Sequence, residues 1–147
     1  MALLSLQMFA EVCLCKNLDW VGPLLLCWQE VDRVPGEISG VYLLQAFAAH
    51  IGGYPVFYIG KSRDLHRRLT EHLNWRTTKP RITAMRAVEQ CYFSAAPVAA
   101  ADLAGVEAAL IRLLRPPCNQ QTPLSYPQVS NLPPLRLHPR HKPSPQL

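Results

Sequence analysis

Two phenols, two fixed cations, an imidazole, a carboxylate and an amide follow one another in this chain at a spacing that suits hydrolysis of a phosphodiester bond. The phenols lie in two triplets, Gly40-Val41-Tyr42 and Tyr58-Ile59-Gly60, with fifteen residues between the tyrosines. Lys61, Arg68, His72, Glu107 and Asn119 come after them in that order. Cutting a phosphodiester requires neutralising the charge that builds on the phosphoryl oxygens, and guanidinium or ammonium groups do this. It also requires an activated water and a steadied leaving oxygen, which a divalent ion supplies. Mg²⁺ or Mn²⁺ uses one or two carboxylates and keeps several waters, so Glu107 alone suffices as protein ligand.

Each of these residues also has a plain structural reading. Arg68 and His72 are four apart and share a helix face, with Leu65, Leu69 and Leu73 on a neighbouring face. The basic residues then form an exposed stripe, and a solvated cationic stripe is the ordinary alternative to a site. Glu107 stands among Ala104, Gly105, Ala108 and Ala109, which leave room around it. A carboxylate buried there is costly unless it is paired or holds a cation, whereas an exposed Glu on an Ala-rich helix needs no function. Asn119 favours the site, because Pro116-Pro117 halts the helix and turns the chain back. Tyr42 and Tyr58 suit paired strands by packing alone. A phenol titrates near ~10, so a basic role needs neighbours such as Lys61, Arg68 or a metal ion to favour phenolate.

The elements that must position these groups are written in the periodicity. Segments 38–47 and 55–62 are rich in Val, Ile, Tyr, Phe and Leu around a Gly-Gly loop, which predicts an antiparallel hairpin. Asp64 caps a helix through residue 73, in which Leu65, Leu69 and Leu73 repeat every four residues. A second helix is expected over 82–88 after a basic loop (Arg76, Lys79, Arg81), a third strand over 90–95, and a strong helix over 100–114. The expected fold is α+β, a three-stranded antiparallel sheet flanked by helices in the order strand-strand-helix-helix-strand-helix.

At 147 residues there is room for one domain, and 49% apolar residues argue for a packed core rather than disorder. Three zones are expected: an N-terminal extension over 1–37, the domain over 38–122 and a tail over 123–147. The tail carries seven of the fourteen prolines, which deny helix and central strand, so it is expected to be disordered. The formal charge of +5 is unevenly spread, with two basic and five acidic residues in 1–39 but ten basic and five acidic in 40–122. A positive segment carrying all the candidate residues fits DNA or another polyanion, although ordinary solubilising charge gives the same balance. Five cysteines with no C-x-x-C pair exclude a zinc ribbon and a disulfide framework, and fit reduced thiols in the cytoplasm. No apolar run is long enough to span a membrane, and the apolar N-terminus lacks the basic start of a signal peptide.

These motifs, over about residues 38–120, resemble the GIY-YIG nuclease superfamily. Gly40-Val41-Tyr42 stands for the first half of the name with Val in place of Ile, and Tyr58-Ile59-Gly60 is the second half in full. The family's arginine, ten residues after the second tyrosine, falls on Arg68 and not on Arg67. His72 matches a position held by His or Tyr, and Glu107 with Leu-Leu-Arg-Pro-Pro-Cys-Asn ending at Asn119 resembles the metal-binding glutamate and late asparagine. The spacing resembles that of the nuclease domain of the bacterial excision-repair endonuclease subunit. The resemblance implies a DNA endonuclease using a single Mg²⁺ or Mn²⁺ on Glu107, with possible places in repair or recombination and no small-molecule cofactor. Arg68, helped by Lys61, would stabilise the phosphoryl charge, and His72 would relay a proton or position water. Tyr42, with Tyr58 as alternative or orienting partner, would take the proton, and Asn119 would fix local geometry. No helix-hairpin-helix region or RING-like cysteine cluster accompanies the motifs, so a stand-alone minimal member is expected. A nucleic-acid-binding module that keeps the fold without turnover is the alternative.

Overall fold

The computed structural model describes residues 17–74, 82 and 90–119. In chain order these form β1 (Val21–Leu25), a short helix α1 (Trp28–Val31), β2 (Gly40–Ala46), β3 (Val56–Ser62), α2 (Leu65–Leu73), β4 (Cys91–Pro97) and α3 (Leu103–Leu114). The hairpin, the third expected strand and the two long helices stand where the periodicity places them. A 3₁₀ turn over Ala100–Asp102 replaces the first turn of the last helix. The helix expected over 82–88, apart from Ile82, the basic loop before it and the tail over 123–147 lie outside the described residues.

The sheet has four strands rather than three, in the order β1-β4-β2-β3 with every described pair antiparallel. The extra strand comes from the N-terminal span, where Gly22-Pro23 interrupts any strand pattern. Proline removes a ladder donor but is tolerated on an edge strand, and β1 is an edge strand whose register slips between Val21 and Leu24. Pairing with β4 therefore creates a strand that local sequence argues against.

β2 is central, and its alternation builds a core on each face of the sheet. Tyr42 and Leu44 pack with Phe93, Ala95 and the α2 residues Leu65 and Leu69. Val41 and Leu43 pack on the other face with Ile59, Ala96 and the α3 residues Val106 and Leu110. So α2 and α3 cover opposite faces. At the α2 start, Asp64 Oδ1 accepts from the Arg67 amide at 3.1 Å, the expected N-cap. That bond, with the Glu37 amide and nearby Arg67 and His66, holds the Asp64 carboxyl below its ordinary range. After α3 the chain turns at Arg115, left-handed at φ 45°, and Pro117–Asn119 forms a 3₁₀ turn. Cys118 of that turn packs with Tyr42 and Leu69, so the segment wraps round the outer edge of β3 from the α3 face to the α2 face.

Leu69 is fully buried between α2 and the sheet, whereas Leu73 is only partly buried. Leu69→Ala is expected to cost about 2–5 kcal/mol of unfolding free energy, and Leu73→Ala clearly less. Urea denaturation of both variants checks the order.

Candidate active site

The hydroxyl of Tyr42 is the meeting point of the α2 side of the sheet. Tyr42 is 1% exposed, and its ring needs space across β3 that only glycine leaves. Tyr42 faces Gly60 in the register, and a Cβ on Gly60 would collide with Tyr42 Cζ and Oη. Gly40 is required in the same way, since a Cβ there would collide with the Ala96 carbonyl and approach Leu65 Cδ1 to 2.6 Å. The glycines of both triplets thus serve close approach of β2 to its neighbours.

A buried hydroxyl must be hydrogen-bonded, and α2 supplies the partners. Arg68 Nε donates to Tyr42 Oη at 3.3 Å, and His72 Nε2 lies 2.9 Å from the same oxygen. Between the phenol and Nε2 the tautomer of His72 sets which donates: the phenol hydrogen to a bare Nε2, or Nε2–H to the phenol oxygen. Tyr58 closes the group, its ring centroid 6.1 Å from those of both Tyr42 and His72. Arg68 and His72 do meet one partner, as their four-residue spacing implies, but His72 is not on an exposed stripe. It is 0% exposed, because Leu65, Leu69 and His72 follow one another at the four- and three-residue steps of a buried helix face.

Arg68 alone does not draw Tyr42 toward phenolate. Burial, followed by the neighbouring Tyr58 phenol, pushes its pKa well above the ordinary 10.0, and Arg68 opposes this only in part. Burial weighs against the Arg68 charge as well, but bonds to Glu71 and Tyr42 outweigh it and keep the guanidinium firmly protonated.

Lys61 and Glu107 form a separate pair, with Nζ and Oε1 2.8 Å apart. Lys61 faces Val41 in the register, one residue beyond the Gly60 that faces Tyr42, so it leaves β3 toward the α3 face. The two halves of the candidate set therefore start from opposite faces of the sheet, from neighbouring register positions of the β2–β3 pair, and no described side-chain contact joins them. Asn119 lies at the outer edge of that strand. Its Oδ1 accepts from the Ile59 amide and its Nδ2 donates to the Ile59 carbonyl, both at 2.7 Å. This two-bond fork covers an edge that would otherwise be open for pairing.

Among the described residues no group of three or more His, Cys, Asp or Glu side chains could hold a metal ion. A single carboxylate completed by water is still a normal setting for Mg²⁺. Glu107, a part-buried carboxylate that already has a cation against one oxygen, fits that chemistry. An ion pair with a partner as exposed as Lys61, at 43%, is worth roughly 0–1 kcal/mol, so its loss would cost little. No described helix is long and apolar enough to cross a membrane. One carboxylate that sequence reasoning missed also stands in this group: Glu71, paired with Arg68 and Arg67. Its three- and four-residue spacing from those arginines was the available signal.

Solved structures of one domain are similar to this chain. The GIY-YIG N-terminal endonuclease domain of UvrC from Thermotoga maritima, bound to magnesium as its catalytic divalent cation, shares 26% identity. The match covers 64% of this chain and 100% of that domain, with a TM-score of 0.48. Two point mutants of the same domain, each bound to its catalytic divalent cation, match at 21% and 26% identity. They cover 64% and 65% of this chain and 100% of theirs, with TM-scores of 0.48 and 0.47. No protein-family model and no curated protein matches.

The Tyr42 shift has a sign that can be measured. The folded phenol keeps its proton past about pH 10, where the unfolded one loses it, so this residue's contribution is intact below that pH and falls above it. Relative to Tyr42→Phe, the wild type is expected to lose up to about 1.4 kcal/mol of stability per pH unit above about pH 10. Urea melts of both proteins across that range read the difference.

Proposed function

We propose that this protein is a metal-dependent endonuclease that hydrolyses DNA phosphodiester bonds. The observation that carries the reading is the Tyr42 hydroxyl held between Arg68 and His72, with the Lys61–Glu107 pair leaving the next register position of the same hairpin toward the opposite face. A site of this composition has a use for every member. Arg68 offers fixed donors to the phosphoryl oxygens on which charge builds, and Lys61 would add a second positive charge from the other side of β3. Glu107 would hold the divalent ion, which polarises the scissile phosphate and steadies the leaving oxygen.

Proton movement is the step for which burial matters most. A phenol with a raised pKa is a poor free base at neutral pH. Tyr42 would avoid that difficulty as a relay where substrate binding brings a water to its buried oxygen: the oxygen would take a proton from that water while its own hydrogen passes to His72 Nε2. Tyr58, against both rings, is the alternative acceptor or the group that orients them. Asn119 acts at a distance from the chemistry by holding Ile59, and with it the positions of Tyr58, Gly60 and Lys61 on β3.

Glu107 separates this reading from that of a binding module without turnover. A module that only holds nucleic acid gains nothing from a carboxylate that repels phosphate and occupies Lys61. The positive segment over 40–122 is what favours the binder. A place in repair or recombination and a cytoplasmic setting go with the enzyme reading.

The test is a cleavage panel over duplex, single-stranded and branched DNA. Nicking is expected with Mg²⁺ or Mn²⁺, lost with a chelator, and reduced at least about 100-fold by Arg68→Ala and by Glu107→Gln. Glu107→Gln is expected to keep or strengthen DNA binding, since it releases Lys61. Turnover that survives either substitution contradicts the proposal, and salt-sensitive binding without cleavage of any substrate favours the silent module.

A further inference from the structure

Arg68 makes a second contact that neither the motifs nor the proposed chemistry accounts for. Its Nη1 donates to Glu71 Oε2 at 2.6 Å while its Nε donates to Tyr42 Oη at 3.3 Å. The other oxygen of Glu71 accepts from Arg67 Nη1 at 3.3 Å. Arg68 and Glu71 are each 27% exposed, so their bond is shielded from water far better than the Arg67 end, at 67%.

A guanidinium is a planar fork on a long flexible stem. One long bond from Nε to the phenol leaves the plane free to tilt about that contact. A second bond at Nη1, to a carboxylate on the next turn of the same helix, fixes the plane. The third nitrogen, Nη2, then keeps its donors for an anion. We propose that Glu71 is a positioning residue, which holds the Arg68 guanidinium at the Tyr42 hydroxyl in the orientation that meets a phosphoryl oxygen. This rests on the nuclease reading given above.

Charge makes the role distinguishable from ordinary helix pairing. A carboxylate beside a polyanion site weakens binding, so its removal should leave DNA affinity unchanged or tighter. Loss of orientation acts in the other direction, on turnover, where a small misplacement costs up to about 100-fold. A residue that only stabilises the helix would move neither quantity once melting temperature is matched. Glutamine keeps an oxygen acceptor at the same reach and should restore most of what alanine removes.

The experiment compares the full chain with Glu71→Ala and Glu71→Gln in two measurements. The first is Mg²⁺-dependent DNA cleavage under saturating and limiting conditions, with DNA affinity measured separately in Ca²⁺. Glu71→Ala is expected to lower kcat about tenfold or more without weakening binding, and Glu71→Gln to recover most of the loss. The second is hydrogen exchange of the Arg68 Nε–H by nuclear magnetic resonance, its signal assigned through Arg68→Lys. That proton is expected to exchange slowly in the wild type and at least tenfold faster in Glu71→Ala. Unchanged exchange in Glu71→Ala overturns the proposal whether or not the protein cleaves DNA. Faster exchange with unchanged kcat overturns it as well. If even the wild type cleaves nothing, the nuclease reading fails, and the holding of Arg68 by Glu71 still stands or falls on the exchange rates.

Discussion

A phenol hydroxyl buried in the middle of a sheet is the constraint around which this domain is arranged. Tyr42 sits on the central strand and is sealed from solvent, so its polar end must be satisfied from within the protein. That requirement fixes the rotation of α2, because Arg68 and His72 both reach the hydroxyl only when Leu65 and Leu69 face the sheet. It also fixes the identity of Gly60, since any side chain there would take the space of the ring. The cap on Asp64 starts the helix at the point from which those registers follow. One hydroxyl thereby couples the hairpin, the first long helix and the glycines of both triplets.

β3 joins this buried group to the second cluster of charge. It is an edge strand, paired with β2 on one side only, and an unpaired edge is free to shift or to bind another strand. The wrap of the chain after α3 removes that freedom, with Asn119 standing in for a missing strand at Ile59. Gly60 and Lys61 follow directly, so the fork that covers the edge also fixes where Lys61 meets Glu107. The two cations are each held by a carboxylate, Lys61 by Glu107 and Arg68 by Glu71. Any polyanion that approaches must share or displace those partners, which keeps the site from being a simple basic patch.

Much of this was legible in the sequence where the signals are local. The hairpin strands, the Asp64 cap, the two amphipathic helices and the stop at Pro116-Pro117 all follow from periodicity and backbone chemistry within a few residues. β1 was not legible, because Gly22-Pro23 argues against a strand and only pairing with distant β4 makes one. The inward side of His72 was written in its spacing from Leu65 and Leu69, but a basic residue four from an arginine reads first as surface. The opposite facing of Tyr42 and Lys61 follows from strand alternation once the register of β2 and β3 is known, and register depends on a bulge near Leu44 that sequence does not mark. The raised Tyr42 pKa has the same origin: the amount of burial is a property of the assembled core, not of the triplet.

The central claim is that the carboxylate on the α3 side and the guanidinium on the α2 side serve one site along β3. A crystal structure with Mn²⁺, its position found by anomalous scattering, tests this most directly. The account requires an ion about 2.0–2.2 Å from a Glu107 oxygen, completed by water and open to the same cleft as Arg68. An ion bound elsewhere, or one at Glu107 with the sheet closed between it and Arg68, would contradict it.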